Sequence, residues 1–97
     1  MKIRILASAS RDLIDGYRFY EMQAEGVGGY FLDSLYSDID SLIISAGMHS
    51  VHFVKYHRLL SKRFPFAVYY QVEEQTVLVS AVLDCRRHPA WIRKRLS

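Results

Sequence analysis

The chain has 97 residues, of which 51% are hydrophobic and 24% charged, with a net charge of +3. This composition is close to the globular average and excludes a disordered, collagen-like or disulfide-scaffold protein. Its length predicts one domain over residues 1–97. The single cysteine, Cys85, precludes an intramolecular disulfide and favours a reducing, cytoplasmic location. We expect no membrane contact, because no secretory signal and no apolar run of about 20 residues is visible.

The charge is unevenly distributed along the chain. Residues 1–50 carry four basic and seven acidic side chains, whereas residues 51–97 carry nine basic and three acidic ones. Every charged side chain after Cys85 is basic. A concentration of one sign attracts an anionic partner, but a solvated basic tail would give the same pattern.

The N-terminal half has the patterns of one strand and two helices. Alternating charged and apolar residues predict a strand over Lys2–Leu6. Ser8 or Ser10 is expected to cap the helix that follows, since a serine oxygen accepts from the free backbone N–H groups of a first turn. The glycine-rich residues 26–29 end that helix, and a second is predicted over Tyr30–Ala46. Two amphipathic helices joined by a short link form an antiparallel hairpin.

The C-terminal half has the pattern of a sheet. One strand is predicted within Tyr56–Arg63, a second over Phe66–Val72 and a third, buried on both faces, over Thr76–Leu83. Pro89 precedes a short basic helix over Ala90–Leu96. The order β-α-α-β-β-β predicts an α+β fold, in which the helical hairpin packs on one face of a mainly antiparallel sheet of three to four strands.

Two patterns that suggest ligand chemistry are better explained structurally. His49, His52 and His57 lack the rigid spacing of zinc ligands and are interpreted as loop histidines, so no metal is expected. Gly26–Gly29 follows a helix, lacks the Lys and Ser/Thr of a phosphate loop, and is interpreted as a turn. No cofactor is expected. Cys85 is interpreted as an inert strand-end cysteine, although neighbouring arginines would lower the pKa of an exposed thiol.

Basic side chains near the ends of two predicted strands give the strongest indication of a binding surface. Alternate residues of a strand share a face, so cations from two strands are expected to converge on one exposed surface opposite the helices. Planar guanidinium groups there would bind phosphate or carboxylate, and Tyr69, Tyr70 and Trp91 would add stacking surfaces, although Tyr70 lies in the stripe that faces the core. The alternative is a solubilising outer face. The predicted target-binding residues are Arg58, Lys62, Arg63, Arg86, Arg87 and Trp91.

Several segments resemble RelE/ParE-superfamily toxins. In the C-terminal half these are Phe64–Glu73, Thr76–Leu83 and Arg86–Pro89, which are similar to the "R-F-P-Y-x-V-x-Y-x-V", "A-V-L" and "R-R-x-P" patterns of that superfamily. Ala9–Leu13 and Tyr30–Leu35 are similar to its helical hairpin. The resemblance spans nearly the whole chain, and its C-terminal motifs do not by themselves select a branch.

The resemblance implies a toxin of a bacterial type II toxin–antitoxin system, of the kind linked to plasmid stabilisation. ParE-like members inhibit DNA gyrase and are not enzymes, whereas RelE-like members cleave messenger RNA on the ribosome. Cleavage would assign Arg86, Arg87 and His88 as catalytic residues. Trp91, however, lies near the position of the C-terminal tyrosine of RelE-like enzymes, and an indole cannot exchange a useful proton. Gyrase inhibition is therefore favoured; a scaffold that has lost its activity is a third possibility.

The same resemblance implies a cognate antitoxin that holds the toxin inactive in a hetero-oligomer. A disordered acidic segment that folds onto a basic domain would gain both charge pairing and strand addition. Leu13, Tyr17 and Tyr20, or the outward side of their helix, are expected to lie close to its groove.

Overall fold

A five-stranded mixed sheet forms the centre of the fold in the computed structural model, which describes residues 1–97. The strand order is β1-β5-β4-β3-β2, with β1 parallel to β5 and all other neighbours antiparallel. The strands are β1 (Lys2–Ile5), β2 (Val51–His52), β3 (Tyr56–Leu60), β4 (Phe66–Glu73) and β5 (Thr76–Asp84), and the helices are α1 (Ala7–Gln23), α2 (Val27–Asp40), α3 (Leu42–Ser45) and α4 (Pro89–Leu96).

Helices α1 and α2 form the predicted hairpin. Gly26 joins them with a left-handed backbone (φ +90°), a conformation that glycine adopts at little steric cost. Gly28 lies where the helices approach most closely: a β-carbon there would be 2.7 Å from the backbone oxygen of Tyr17. Glu21 accepts hydrogen bonds from the backbone N–H groups of Gly26 and Gly28. The predicted turn is confined to residues 24–26, and residues 27–29 form the start of α2.

The alternation of side chains along the strands produces a core on each face of the sheet. The larger core lies under the hairpin; the smaller one lies under α4, which packs Ile92 and Leu96 against the opposite face. The larger core includes Leu13, Phe31, Leu35, Val68, Tyr70, Val77 and Val79, and the smaller one includes Tyr56, Ala67, Tyr69, Ala81 and Leu83. Burial of β5 on both faces explains its nearly continuous apolar sequence.

Beyond the end of β1, backbone groups at the edge of β5 form hydrogen bonds with side chains of α1 instead of with a neighbouring strand. β1 ends at Ile5, opposite Val79, and the β5–β4 register shifts at the next residue. Ser8 Oγ donates to the carbonyl oxygen of Ser80 at 2.8 Å, and Asp12 Oδ2 accepts from the N–H of Val82 at 3.0 Å. These bonds satisfy backbone groups that a neighbouring strand would otherwise pair.

The α+β architecture is confirmed, with three local corrections. Neither predicted serine caps α1: Leu6 occupies the N-cap without a side-chain bond, because the Ser8 hydroxyl is engaged by β5. The second predicted helix starts at Val27 and is broken at Ser41 into α2 and α3. The sheet has one strand more than predicted, the two-residue β2. No helix is long and apolar enough to cross a membrane.

Candidate functional site

The C-terminal end of β5 carries the exposed basic cluster that the sequence indicated. We call Arg86, Arg87, His88 and Trp91 the strand-exit surface; all four are exposed. The chain leaves β5 at Asp84, turns, and enters α4 at Pro89, whose fixed φ suits the first turn of a helix. The His88 ring caps α4, since its Nδ1 accepts from the N–H of Ala90 at 3.0 Å.

Arg86 is held by the last residue of β5. Its Nη2 donates to Asp84 Oδ2 at 2.7 Å and its Nε donates to Oδ1 at 3.0 Å. These bonds are the main reason that the pKa of Asp84 is lowered. Burial raises the pKa of the Tyr20 hydroxyl, and the charge of Arg86 opposes that rise. A guanidinium with a bound carboxylate is less available to a partner anion.

Arg87 and Trp91 form the part of the strand-exit surface that has no intramolecular anion bound to it. The guanidinium carbon of Arg87 lies 4.2 Å from the centroid of the Trp91 ring, a cation–π arrangement. Trp91 remains 39% exposed. The stack presents a flat aromatic face and a charged fork together, two features of protein-interface hot spots.

A pocket of about 220 Å³ separates this stack from α1. Asp12 and Arg95 form an ion pair in its wall, with Nη2 of Arg95 at 2.6 Å and 2.7 Å from the two carboxylate oxygens. Burial raises the pKa of Asp12 despite this partner and the N–H of Val82. The pocket is lined by Asp12, Asp15, Gly16, Phe66, Val82, Leu83, Asp84, Arg87, Trp91 and Arg95. Its three carboxylates outnumber its two guanidinium groups, so it is not a simple anion site.

The expectation of one common cationic surface is wrong. Arg58 lies opposite Tyr69 in the β3–β4 register, on the face that α4 covers. Lys62 and Arg63 follow the end of β3 and line a separate pocket with residues of α2. Because β3 ends at Leu60, the alternation that was expected to align Arg58 with Lys62 does not reach residue 62. Arg86, Arg87 and Trp91 remain together at the exit of β5.

The expected stacking surfaces also differ from the prediction. Tyr69 is only 1% exposed, because it faces the core under α4. Tyr70 is in the opposite core, as its stripe predicted. Of these three aromatic residues, Trp91 alone is therefore exposed to a partner.

The residues suggested for antitoxin contact are mostly internal. Leu13 is 1% exposed and belongs to the main core, which removes it from any contact surface. Tyr20 packs in an aromatic cluster, stacked on Phe31 with centroids 5.2 Å apart, and Tyr17 is half-buried. The outward side of α1, the other option, carries three exposed apolar side chains: Ile14, Phe19 and Met22.

His49 and His57 contact Tyr70, whereas His52 lies in β2 and is hydrogen-bonded to Ser50 Oγ. His49 Nδ1 is hydrogen-bonded to the Tyr70 hydroxyl, and the His57 ring stacks on Tyr70 with centroids 5.1 Å apart. Burial lowers the pKa values of His49 and His52. The structure contains no cluster of three His, Cys, Asp or Glu side chains able to hold a metal ion. The pKa of Cys85 is raised, chiefly by desolvation, and the charges of Arg58 and Arg86 oppose that rise only in part.

Two buried polar groups were missed by the sequence analysis. One is Asp12, which links α1, β5 and α4; the other is the pair Ser34 and Asp38 on the inner side of α2. The sequence positions of these polar residues could have indicated that they are buried. Asp12 adjoins the buried residue Leu13, and Ser34 and Asp38 are four residues apart beside the apolar stripe of α2, so both groups fall at the margins of buried helix faces.

No protein-family model matches the sequence, and no curated protein matches it. A solved structure does match. A chain of the chromosomal ParDE TA system from P. aeruginosa superposes with a TM-score of 0.78 over 84% of this chain and 92% of that chain, at 15% sequence identity. The two chains therefore share a fold.

Proposed function

We propose that this protein is a ParE-like toxin of a type II toxin–antitoxin system, a cytoplasmic protein that inhibits DNA gyrase and is neutralised by a cognate antitoxin. The observation that carries the proposal is the likeness in fold to a chain of the ParDE TA system, with a TM-score of 0.78. The superfamily motifs in the sequence support the same assignment. Because one fold can serve unrelated functions, the proposal also rests on the strand-exit surface.

The gyrase-binding role is assigned to Arg87 and Trp91, with Arg86 beside them. The aromatic–guanidinium stack is exposed and combines the two residue types most enriched in binding hot spots. Arg58 lies opposite Tyr69, on the face of the sheet that α4 covers, and it contributes at the margin. Lys62 and Arg63 are not assigned to gyrase binding, because they line a different pocket.

The geometry favours inhibition over RNA cleavage. Transfer of a 2′-hydroxyl proton needs a free base, but Nδ1 of His88 accepts a hydrogen bond from the N–H of Ala90. Stabilising the phosphate needs a free cation; Arg86 is bound to Asp84 through two side-chain bonds, which leaves Arg87 as the free cation of this surface. Trp91 supplies no proton donor that could replace a tyrosine.

The antitoxin is proposed to bind the outward side of α1. Phe19 is 52% and Met22 87% exposed, and Ile14 lines a shallow surface pocket with Arg11 and Arg18. An amphipathic segment with acidic side chains would cover the apolar residues and pair with these arginines.

The proposal is tested by inducing the protein in a bacterium that lacks the antitoxin. Growth arrest with DNA breaks and an SOS response is expected, with messenger RNA intact. Messages cleaved within ribosome-bound frames would contradict gyrase inhibition, and normal growth at verified expression would contradict a toxin. Co-expression of a small neighbouring reading frame is expected to restore growth.

A further inference from the structure

A second pocket lies between α2 and the turn that joins β3 to β4, away from the strand-exit surface. Its volume is about 130 Å³. It has no hydrophobic lining residue; the residues around it are Ser34, Ser37, Asp38, Lys62 and Arg63. Such a lining does not suit an apolar ligand and suits a small, strongly hydrogen-bonding one.

Two residues that line this polar pocket each have a side-chain oxygen without a hydrogen-bond partner. Ser34 is 4% and Asp38 7% exposed. Ser34 Oγ and Asp38 Oδ2 are buried and make no hydrogen bond within the protein. Buried polar atoms are almost always hydrogen-bonded, because leaving them unpaired is unfavourable. These two atoms therefore point to a bound group that both donates and accepts hydrogen bonds.

The charged residues at the edge of the pocket indicate that the bound group is an anion. Lys62 and Arg63 are exposed beside the single carboxylate of Asp38, so the lining carries an excess of positive charge. Arg63 lies over the Tyr30 ring at 5.8 Å, which restricts the guanidinium. Two cations next to serine hydroxyls favour an anion with several oxygens, because guanidinium groups bind such oxygens in pairs.

The carboxylate of Asp38 restricts the anion further. An ionised carboxylate only accepts hydrogen bonds, so a suitable anion must carry its own hydrogen. Hydrogen phosphate has a P–OH group near neutral pH, as does the monoanion of a phosphate monoester, whose second pKa is about 6. Sulfate and phosphodiesters have none.

We propose that the polar pocket binds a phosphate that bears a P–OH group, either orthophosphate or the terminal monoester of a nucleic acid. Lys62 and Arg63 bind the charged oxygens, the Ser34 and Ser37 hydroxyls donate to them, and Asp38 accepts from the P–OH. The assignment stands independently of the toxin proposal.

Calorimetric titration of the full chain with inorganic phosphate and with sulfate, at pH 7 and equal ionic strength, tests the proposal. Phosphate is expected to bind about tenfold or more tightly than sulfate, the size of one hydrogen bond to a charged group. Asp38→Asn supplies an amide N–H donor, so sulfate should gain affinity and the preference should largely disappear. Equal binding of both anions by the wild type, or an unchanged preference in Asp38→Asn, overturns it.

Two exposed positions provide a test that does not depend on the folding of Asp38→Asn. Lys62→Ala/Arg63→Ala is expected to weaken phosphate binding by at least about tenfold, while Arg4→Ala, a cation on β1, leaves it unchanged. Loss in both variants would indicate general charge attraction and overturn the site. Urea unfolding of each variant confirms that the fold is intact.

Oligonucleotides distinguish the two sources of phosphate. If a 5′-phosphorylated strand displaces orthophosphate and its 5′-hydroxyl twin does not, the ligand is a nucleic-acid end. If neither displaces it, the ligand is free phosphate. Equal displacement by both would show that diester oxygens suffice, which contradicts the requirement for a P–OH group.

Discussion

Gly28 and Gly29 are neighbours on α2 with different surroundings. A β-carbon on Gly28 would lie 2.7 Å from the backbone oxygen of Tyr17 and 2.8 Å from Cβ of Glu21, whereas one on Gly29 would meet nothing within 4 Å. Gly28→Ala is therefore expected to force α1 and α2 apart and lower the free energy of unfolding by about 1–3 kcal/mol.

Gly29→Ala is the matched control. The added methyl group enters open space, and alanine favours a helix over glycine, so its unfolding free energy should be unchanged or raised by up to about 1 kcal/mol. Urea denaturation measures both variants. Equal stability of the two would show that the hairpin contact at Gly28 does not limit the packing of the helices.

Asp12 gives a pH dependence with a definite sign. Burial raises its folded-state pKa, and this effect exceeds the opposing bonds from Val82 and Arg95. The folded chain therefore binds this proton more tightly than the unfolded chain. The contribution of Asp12 to stability should increase as the pH falls through its folded-state pKa and be complete below the ordinary aspartate value.

Asp12→Asn removes this titration and leaves all other acids in place. The unfolding free energy of the wild type minus that of Asp12→Asn should rise between pH 7 and pH 4, as measured by urea unfolding at each pH. A difference that falls over the same range would mean that pairing with Arg95 outweighs desolvation.

Sequence patterns located the exposed chemical groups of the site better than the buried ones. The sequence indicates Arg87 and Trp91 as exposed groups but not their contact, because Arg87 lies before the first residue of α4. The bond between Asp84 and Arg86 was not predictable, because it depends on the turn that follows β5. The partner of Asp12, Arg95, is 83 residues away, and no local pattern records such a contact.

Helix α4 is attached to the sheet by few groups. Ile92 and Leu96 are each 6% exposed, and the Tyr56 hydroxyl donates to the Leu96 carbonyl oxygen at 3.0 Å. Ile92→Ala is expected to lower the unfolding free energy by about 2 kcal/mol or more, since large-to-small changes in a packed core leave a cavity.

Hydrogen exchange shows where that loss is located. The backbone amides of α4 in Ile92→Ala should lose protection before those of α1, because α4 can open locally. Lys94→Ala, an exposed position on the same helix, should change stability by less than about 0.5 kcal/mol. Uniform loss of protection over the whole chain would contradict separate docking of α4.

Periodicity predicted most elements because their faces are buried on one side. The helices of the hairpin and strand β4 follow from periods of 3.6 and 2, whereas β5 follows from a continuous apolar run that is buried on both faces. The two-residue β2 is too short to show a period. Lys62 was expected to share a strand face with Arg58, but β3 ends at Leu60. The turn that follows places Lys62 and Arg63 beside α2.

The charge of the whole molecule is distributed in a way that the linear sequence conceals. The basic half of the chain does not produce one basic surface, because Arg86 is bound to Asp84 and Arg95 to Asp12. The acidic N-terminal half meets the basic C-terminal half through the ion pair of Asp12 with Arg95. Arg87 remains without an intramolecular ion pair.

DNA supercoiling by purified gyrase, measured with and without the purified protein, tests the central claim most directly. The wild type is expected to inhibit supercoiling, Arg87→Ala to lose most of that inhibition while keeping its fold, and Arg4→Ala to inhibit like the wild type. Supercoiling that proceeds unchanged with folded wild-type protein in excess would contradict the account.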